Sequence, residues 1–199
     1  MRATIVLAAT AFLVIGCKDP GAEVTAAKVE APAAAKDMPA ADSPSAASLP
    51  VNPSNSKIEF VGAKVTASHP GGFTDFSGKV DLGDPIEQSR LEVTLQTASL
   101  YADKEKLTKH LKSPDFFDVA QFPTATFQST QIKKEGEGHI ITGELTLHGV
   151  TKSISFPASI SASESQVNAS AEFSINRKDF GINYPGMQDD LIRDLVVIK

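Results

Sequence analysis

The sequence contains no tryptophan, a single cysteine and only four histidines among its 199 residues. One cysteine excludes an internal disulfide and leaves too few thiols for a cysteine-rich zinc site. Lys and Arg total 19 against 24 for Asp and Glu, so the net charge is −5. This acidic balance argues against a nucleic-acid-binding protein, because such proteins displace counterions with a basic surface. The motifs Gly-x-Ser-x-Gly and His-Glu-x-x-His and a glycine-rich phosphate loop are also missing, which disfavours an enzyme.

The single cysteine ends an apolar N-terminal segment that is typical of an export signal. Arg2 is followed by an apolar run over residues 3–15 and then by a small residue, Gly16. Because about 20 apolar residues are needed to span a bilayer, this run is too short for a membrane helix. We therefore expect residues 1–16 to be a signal peptide that is removed during export.

The end of this segment, Val14-Ile15-Gly16-Cys17, resembles the lipobox of bacterial lipoproteins. The resemblance implies that diacylglycerol is attached to the thiol of Cys17 and a further acyl chain to its amine, and several chains anchor a protein stably. The residue after Cys17 is Lys18 rather than aspartate, which resembles the pattern of lipoproteins that are sent to the outer membrane. We therefore expect a lipid-anchored protein of the bacterial cell envelope, at the periplasmic face of the outer membrane. A plain signal peptide followed by a coincidental cysteine is the alternative.

Residues 17–53 carry the lipidated cysteine and then a stretch that is rich in alanine and proline and has no aromatic side chain. Such a segment cannot bury enough apolar surface to offset the cost of ordering it, which predicts a disordered tether. About 35 extended residues reach on the order of 100 Å. A folded domain on this tether would stand clear of a membrane surface.

The remaining residues, 54–199, show the alternation of a β domain. Leu91, Val93 and Leu95 alternate with polar residues, and the same period of two recurs along the chain. A period of two with one apolar face predicts half-buried antiparallel strands. The eight predicted strands are 57–65, 73–82, 90–96, 124–134, 138–148, 153–160, 167–176 and 191–198.

One segment, 103–112, has a helical pattern instead. Leu107 and Leu111 lie one turn apart, and Asp103 is placed to cap the start of the helix. Eight antiparallel strands favour an up-and-down, lipocalin-like barrel, because closure removes the exposed edges of a sheet. We therefore predict an all-β, eight-stranded antiparallel barrel with a short helical insertion, and a two-sheet sandwich is the alternative.

Motifs along this domain strongly resemble the YceI-like family. The two most specific ones lie at 110–129 and 142–152, and weaker matches lie at 72–78 and 175–182. The resemblance implies a lipocalin-like barrel whose hydrophobic interior holds a polyisoprenoid chain, as in an isoprenoid quinone or a prenyl phosphate. It also implies a secreted bacterial protein that is often a homodimer. The sequence departs from the family at 62–64, where a Val-x-His step is common and Gly-Ala-Lys stands here.

Inward-facing apolar side chains of the predicted strands are the candidates for lining a ligand cavity. An eight-stranded barrel is either filled by its own side chains or holds one small ligand, and the alternation does not decide between these. Small inward residues such as Ala158 and Ala169 leave room for a ligand. The candidates are Phe60, Phe76, Leu91, Val93, Leu95, Phe127, Leu145, Leu147, Ile154, Phe156, Phe173 and Ile175.

Arg177 is the candidate for contact with a ligand head group, because a guanidinium fork can hold a phosphate or a carboxylate. An ion pair with Asp179 or Asp194 is the alternative. The histidines show neither His-x-His nor His-x-x-x-His spacing, so no metal or cofactor is expected. Phe116 and Phe117 are interpreted either as plugs of the core or as a flap over one barrel mouth.

These observations favour a non-enzymatic carrier that sequesters or transports an amphiphilic isoprenoid-type lipid in the bacterial envelope. Burial of the chain would supply about 0.8 kcal/mol for each methylene removed from water. The expected partners are the lipid, the membrane through the anchor, and a second copy of the chain. A structural or stress-related envelope protein with a filled barrel and no ligand is the first alternative, and an enzyme acting on a lipid head group is the second.

Overall fold

The computed structural model describes residues 19–32, 47–162 and 166–199. The predicted signal peptide over residues 1–16 and the predicted lipid attachment site Cys17 lie outside these ranges. The described chain is mostly β and its ladders are antiparallel, as the alternating sequence predicts.

The helices are short and the strands account for most of the fold. The two helices are α1 (Pro20–Glu23) and α2 (Glu105–Leu111). The strands are β1 (Lys28–Glu30), β2 (Ala47–Val51), β3 (Ile58–Ala63), β4 (Ser68–Phe73), β5 (Phe76–Leu82), β6 (Arg90–Gln96), β7 (Leu100–Ala102), β8 (Thr124–Glu135), β9 (Gly138–Leu147), β10 (Val150–Ala162), β11 (Val167–Ser170), β12 (Phe173–Asn176), β13 (Gly186–Met187), β14 (Asp190–Leu191) and β15 (Leu195–Ile198).

The strand pairings form a closed circuit. β3 pairs with β4, and the chain continues from β4 through a bend into β5. β7 pairs with β4 and β6 pairs with β5, so a second bent strand lies along the whole length of the first. The circuit continues through β8, β9, β10 and the strand made of β11 and β12, and β15 pairs with both β12 and β3. Counting each bent strand once gives eight, in chain order. The prediction of an eight-stranded antiparallel up-and-down fold with a short helical insertion is confirmed.

Two neighbouring strands bend together where they pass from one part of the ring to the other. The Gln96 amide donates to the Asp75 carbonyl at 2.9 Å, and the Thr74 amide donates to the Ser99 carbonyl at 3.4 Å. These two bonds keep the ladder continuous across the bends between β4 and β5 and between β6 and β7. The bend therefore splits each predicted strand into two elements without opening the ring.

Two segments of the predicted disordered tether, β1 and β2, are strands in the structure and pair with the barrel. β1 lies against residues Ser153–Ser155 of β10, which have no partner from β11. Just before β1, the Ser174 amide donates to the Thr25 carbonyl at 3.0 Å, and the Ala27 amide donates to the Ser174 carbonyl at 2.8 Å. Residues 25–30 thus fill the seam where β10 and β12 diverge.

The second such segment is β2. It pairs with the edge of β5 that β3 leaves open, because β3 pairs with β4 and not with β5. A row of unpaired edge groups is a template for unwanted strand addition. Covering the two open edges of the ring removes that liability.

Buried apolar side chains of β8, β9, β10 and β12 form the core. Phe156 and Phe173 stack with their ring centroids 4.1 Å apart, and Phe180 is completely buried beneath them in the same cluster. The core cluster consists of Ile132, Ile141, Ile154, Phe156, Ala158, Phe173, Ile175 and Phe180.

The helical insertion begins slightly later than the sequence indicates. α2 starts at Glu105 without a side-chain cap. The prediction that Asp103 caps it is wrong, since Nδ1 of His69 lies 3.0 Å from the Asp103 carboxylate, which is held across to β4 instead. Across residues 19–32, 47–162 and 166–199, no helix has the length and apolar character needed to cross a membrane.

Candidate ligand cavity

The barrel contains a cavity of about 1740 Å³ that is open to solvent. Pockets for drug-sized ligands occupy about 300–1,000 Å³, so this space is large for a chain of this size. Small side chains explain why it is open: Ala125, Ala158, Ala169 and Ala171 stand on its wall where larger residues would fill it. The structure therefore favours a hollow barrel over one that is filled by its own side chains.

Eleven of the twelve predicted lining residues are on the cavity wall. They stand where strand alternation directs their side chains inward from β3, β6, β8, β9, β10 and β12. The eleven are Phe60, Leu91, Val93, Leu95, Phe127, Leu145, Leu147, Ile154, Phe156, Phe173 and Ile175.

The structure places Phe76 elsewhere. It pairs with Leu95 and shares its face of the sheet, but it begins β5 at the bend and is only 3% exposed. It is buried in the packing at the bend and does not line the cavity. Strand alternation predicts which side of the sheet a side chain faces. It does not predict which inward side chains reach the cavity, because the extent of the cavity depends on how all the strands pack.

Other parts of the wall come from segments that strand alternation does not identify. Leu49 and Val51 belong to β2, which carries no alternating pattern of useful length. Leu107 and Leu111 of α2 also line the cavity. Their spacing of one helical turn, which is visible in the sequence, indicates that both lie on the same face of the helix. Ile141 could have been found from sequence, because it has the same parity in β9 as Leu145.

Aromatic rings gather at the end of the cavity beside α2. The His110 ring meets Phe116 edge-on at 5.0 Å and Tyr184 at 5.1 Å, and its Nε2 lies 2.9 Å from the Asp115 carboxylate. Phe116 is buried, and Phe117 packs edge-on against Phe73 at 5.9 Å. Both phenylalanines also line the cavity, so they pack into the barrel end and form part of the cavity wall.

Arg177 is held by backbone carbonyls rather than left free for a ligand. It is 5% exposed, and Nη1 donates to the Ile182 carbonyl at 2.7 Å while Nε donates to the Arg193 carbonyl at 3.1 Å. Nη2 lies 3.3 Å from the Asp194 carboxylate. Burial lowers the pKa of the Arg177 guanidinium, and Asp194 acts in the opposite direction. The sequence left two interpretations of Arg177 open, a head-group contact and an ion pair, and the structure contains the ion pair with Asp194.

A second charged pair lies on the cavity wall near Met187. The Lys64 ammonium donates to the Asp190 carboxylate, which also accepts from the Thr66 hydroxyl at 3.0 Å. The Lys64 contact, followed by Thr66, lowers the pKa of the Asp190 carboxyl below its ordinary value. No group of three His, Cys, Asp or Glu side chains that could hold a metal ion is found in the described part of the chain. The site thus offers an apolar wall with paired charges at its rim.

The profile of the YceI-like domain matches residues 50–199. A UPF0312 protein of Pseudomonas putida strain W619 is 40% identical over 125 residues, which cover 58% of this chain and 65% of that protein. The match therefore spans slightly less than two thirds of that relative.

Two solved structures share the fold. BcnA of Burkholderia cenocepacia superposes with a TM-score of 0.66 at 23% identity, covering 74% of this chain and 95% of that one. A polyisoprenoid binding domain from Saccharophagus degradans, implicated in plant cell wall breakdown, gives a TM-score of 0.61 at 16% identity, covering 76% and 94%. At these identities the likeness establishes the architecture alone.

Proposed function

We propose that this chain, which belongs to the YceI-like domain family, binds an isoprenoid-type lipid in its barrel cavity. The observation that carries the proposal is the apolar cavity of about 1740 Å³ inside a closed ring of strands. The polyisoprenoid binding of the Saccharophagus domain, which has the same fold, supports this choice of ligand class. The role is a carrier or store, since the wall offers packing rather than reacting groups.

The shape of the wall suits a long, flexible hydrocarbon. Phe127, Leu145, Phe156 and Phe173 present apolar surface to it, and Lys64 and Asp190 are paired with each other on the wall. Each buried methylene contributes about 0.8 kcal/mol, so a chain of several isoprene units gains enough to outweigh the entropy lost on binding. Selectivity for the head group then falls to the residues at the ends of the cavity.

Organic extraction of natively purified protein, followed by mass spectrometry, tests the ligand. We expect about one prenyl lipid for each chain. The matched control is the same protein stripped of lipid by extraction and refolded, which should take the lipid up again from a micellar suspension. Protein that is free of lipid when purified without detergent, and that takes none up, would contradict a carrier and favour a structural envelope protein. Turnover of the lipid would indicate an enzyme.

The proposed anchor is the thioether lipid on Cys17, which would hold the barrel at the periplasmic face of the outer membrane. The lipobox-like sequence that ends at this residue supports it. We expect the Cys17→Ser protein to move from the detergent phase to the aqueous phase, and to lose the mass of the acyl chains. Lys18→Ser is the matched control and should partition like the wild type. Unchanged partitioning of Cys17→Ser would refute lipidation at this residue. The homodimer that the resemblance implies stays a prediction, which sedimentation of the lipid-loaded protein would check.

A further inference from the structure

We propose that one lip of the barrel rests on a lipid bilayer and opens the cavity to it. The lip consists of Val65, Met187 and Leu191, whose exposed fractions are 44, 70 and 50%. In the described ranges only one other large apolar side chain is comparably exposed, Tyr101 at 41%. Exposed apolar side chains gathered at one place mark a surface that is covered in use.

The lip is a fixed piece of structure. The Val65 amide donates to the Leu191 carbonyl at 3.0 Å, and β13 and β14 form the hairpin that carries Met187 and Leu191. Asp190, between them, accepts from the side chains of Lys64 and Thr66. Loop and hairpin are thereby joined, so the three apolar side chains are held next to one another at one edge of the barrel.

The lip continues into the cavity. Lys64, Met187 and Ile192 line the cavity, whereas Val65 and Leu191 are not part of its wall. Neighbouring residues of a strand point to opposite sides, so Leu191, which follows Asp190 in β14, points away from the cavity, whereas Met187 points toward it. A lipid chain that leaves a bilayer at the lip therefore passes Met187 and Ile192, beside the Lys64–Asp190 ion pair, as it enters the barrel.

The N-terminal chain meets the barrel at the same lip. The Asp19 carboxylate lies 3.9 Å from Nε of Arg193, which is two residues beyond Leu191. Gly21 packs so closely against β15 that an added Cβ would lie 2.5 Å from Cβ of Leu195. Asp19 is the first described residue, and the two residues from Cys17 to Asp19 reach at most about 7 Å when extended, so a lipid on Cys17 would be attached to the chain near this contact. This step rests on the lipid anchor of the proposed function.

A bilayer is the occupant that these observations favour. An anchor on Cys17 would attach the chain to the membrane two residues before Asp19, whose carboxylate lies beside Arg193 at the lip. Asp189 is exposed at the tip of the hairpin, so the lip lies at the level of the head groups and does not enter the hydrocarbon. Shallow contact of this kind is typical of interfacial proteins, which combine a small apolar surface with an acyl anchor.

The absence of tryptophan makes a direct test possible. Met187→Trp introduces a single reporter at the lip, and Tyr101→Trp is the matched control on the outer wall. In vesicles of phosphatidylethanolamine and phosphatidylglycerol that carry the exported protein, we expect emission from Met187→Trp to shift to the blue. Brominated lipids should quench it at least about threefold more than the control, since the ring lies at the interface. Equal quenching of both reporters would overturn the proposal.

The contribution of the lip itself is measured by adding Val65→Ser and Leu191→Ser to Met187→Trp. We expect quenching to fall to the level of the Tyr101→Trp control, with thermal unfolding unchanged because both side chains are exposed. Undiminished quenching would mean that the short anchor alone positions the barrel, and would overturn the role of the lip. If Cys17 carries no lipid, the same lip-dependent quenching is expected when soluble protein is mixed with the vesicles, and its absence there overturns the proposal. The lipid content of each variant is measured separately, so failure of the carrier function and failure of the lip give different results.

Discussion

Arg177→Met is expected to lower the free energy of unfolding by about 3 kcal/mol, since removing one partner of a buried charged network leaves the other groups unpaired. The guanidinium is 5% exposed and joins the carbonyls of Ile182 and Arg193 to the Asp194 carboxylate. Methionine has a similar length but donates no hydrogen bond, so these acceptors lose their partner inside the barrel end. Thermal denaturation should show a midpoint lower by roughly 6–12 °C.

Lys178→Met is the matched control for this prediction. Lys178 is adjacent and contacts the same carboxylate at 2.9 Å, but its side chain is 48% exposed. An exposed ion pair is worth at most about 1 kcal/mol, so this variant should unfold within about 0.5 kcal/mol of the wild type. If Arg177→Met were instead as stable as the wild type and had lost its lipid, Arg177 would be the head-group contact that its chemistry first suggested.

Ala158→Phe is expected to weaken lipid binding by about tenfold in Kd, which corresponds to about 1.4 kcal/mol of binding free energy, and so to lower the lipid content of the purified protein. Ala158 is a small residue on the cavity wall, beside Phe156 in β10. A phenyl ring at this position extends from the edge of the core cluster into space that the hydrocarbon would use. Extraction and mass spectrometry of the purified variant measure the effect.

Ser159→Phe controls for the added ring, because the next residue in the strand is exposed and is not on the cavity wall. We expect its lipid content to equal that of the wild type. Both variants should show the wild-type circular dichroism spectrum. Full lipid occupancy in Ala158→Phe would contradict the placement of the ligand beside this residue.

The ring of strands is largely readable from the sequence, because one face of each strand is buried and the alternation is strict. Leu145 and Ile141 show this in β9, where shifting the register by one residue would turn both toward solvent. The bends between β4 and β5 and between β6 and β7 cannot be located from the sequence pattern. They depend on two neighbouring strands turning together, and the pattern of each strand alone continues through the bend.

The seam strands could not be predicted, and the reason is physical. The strand formed by Lys28, Val29 and Glu30 is held mainly by the edge of β10 and by the core beside Val29. Local propensity contributes little to so short an element, so tertiary contact decides its conformation. Asp103 illustrates the same limit, because its position favours a helix cap. In the fold it contacts His69, which lies 34 residues earlier in the sequence on β4.

The closure of the ring through β3 and β15 has a consequence for how the chain folds. The Glu59 amide donates to the Lys199 carbonyl at 2.9 Å, and the Lys199 amide donates back to the Glu59 carbonyl at 2.9 Å. The first strand of the ring therefore gains its second neighbour only when the last one is in place, and such long-range pairing is typical of domains that fold in milliseconds to seconds. Until then β3 and β12 keep bare edges, so a chain truncated before β15 is expected to aggregate rather than to form a smaller barrel.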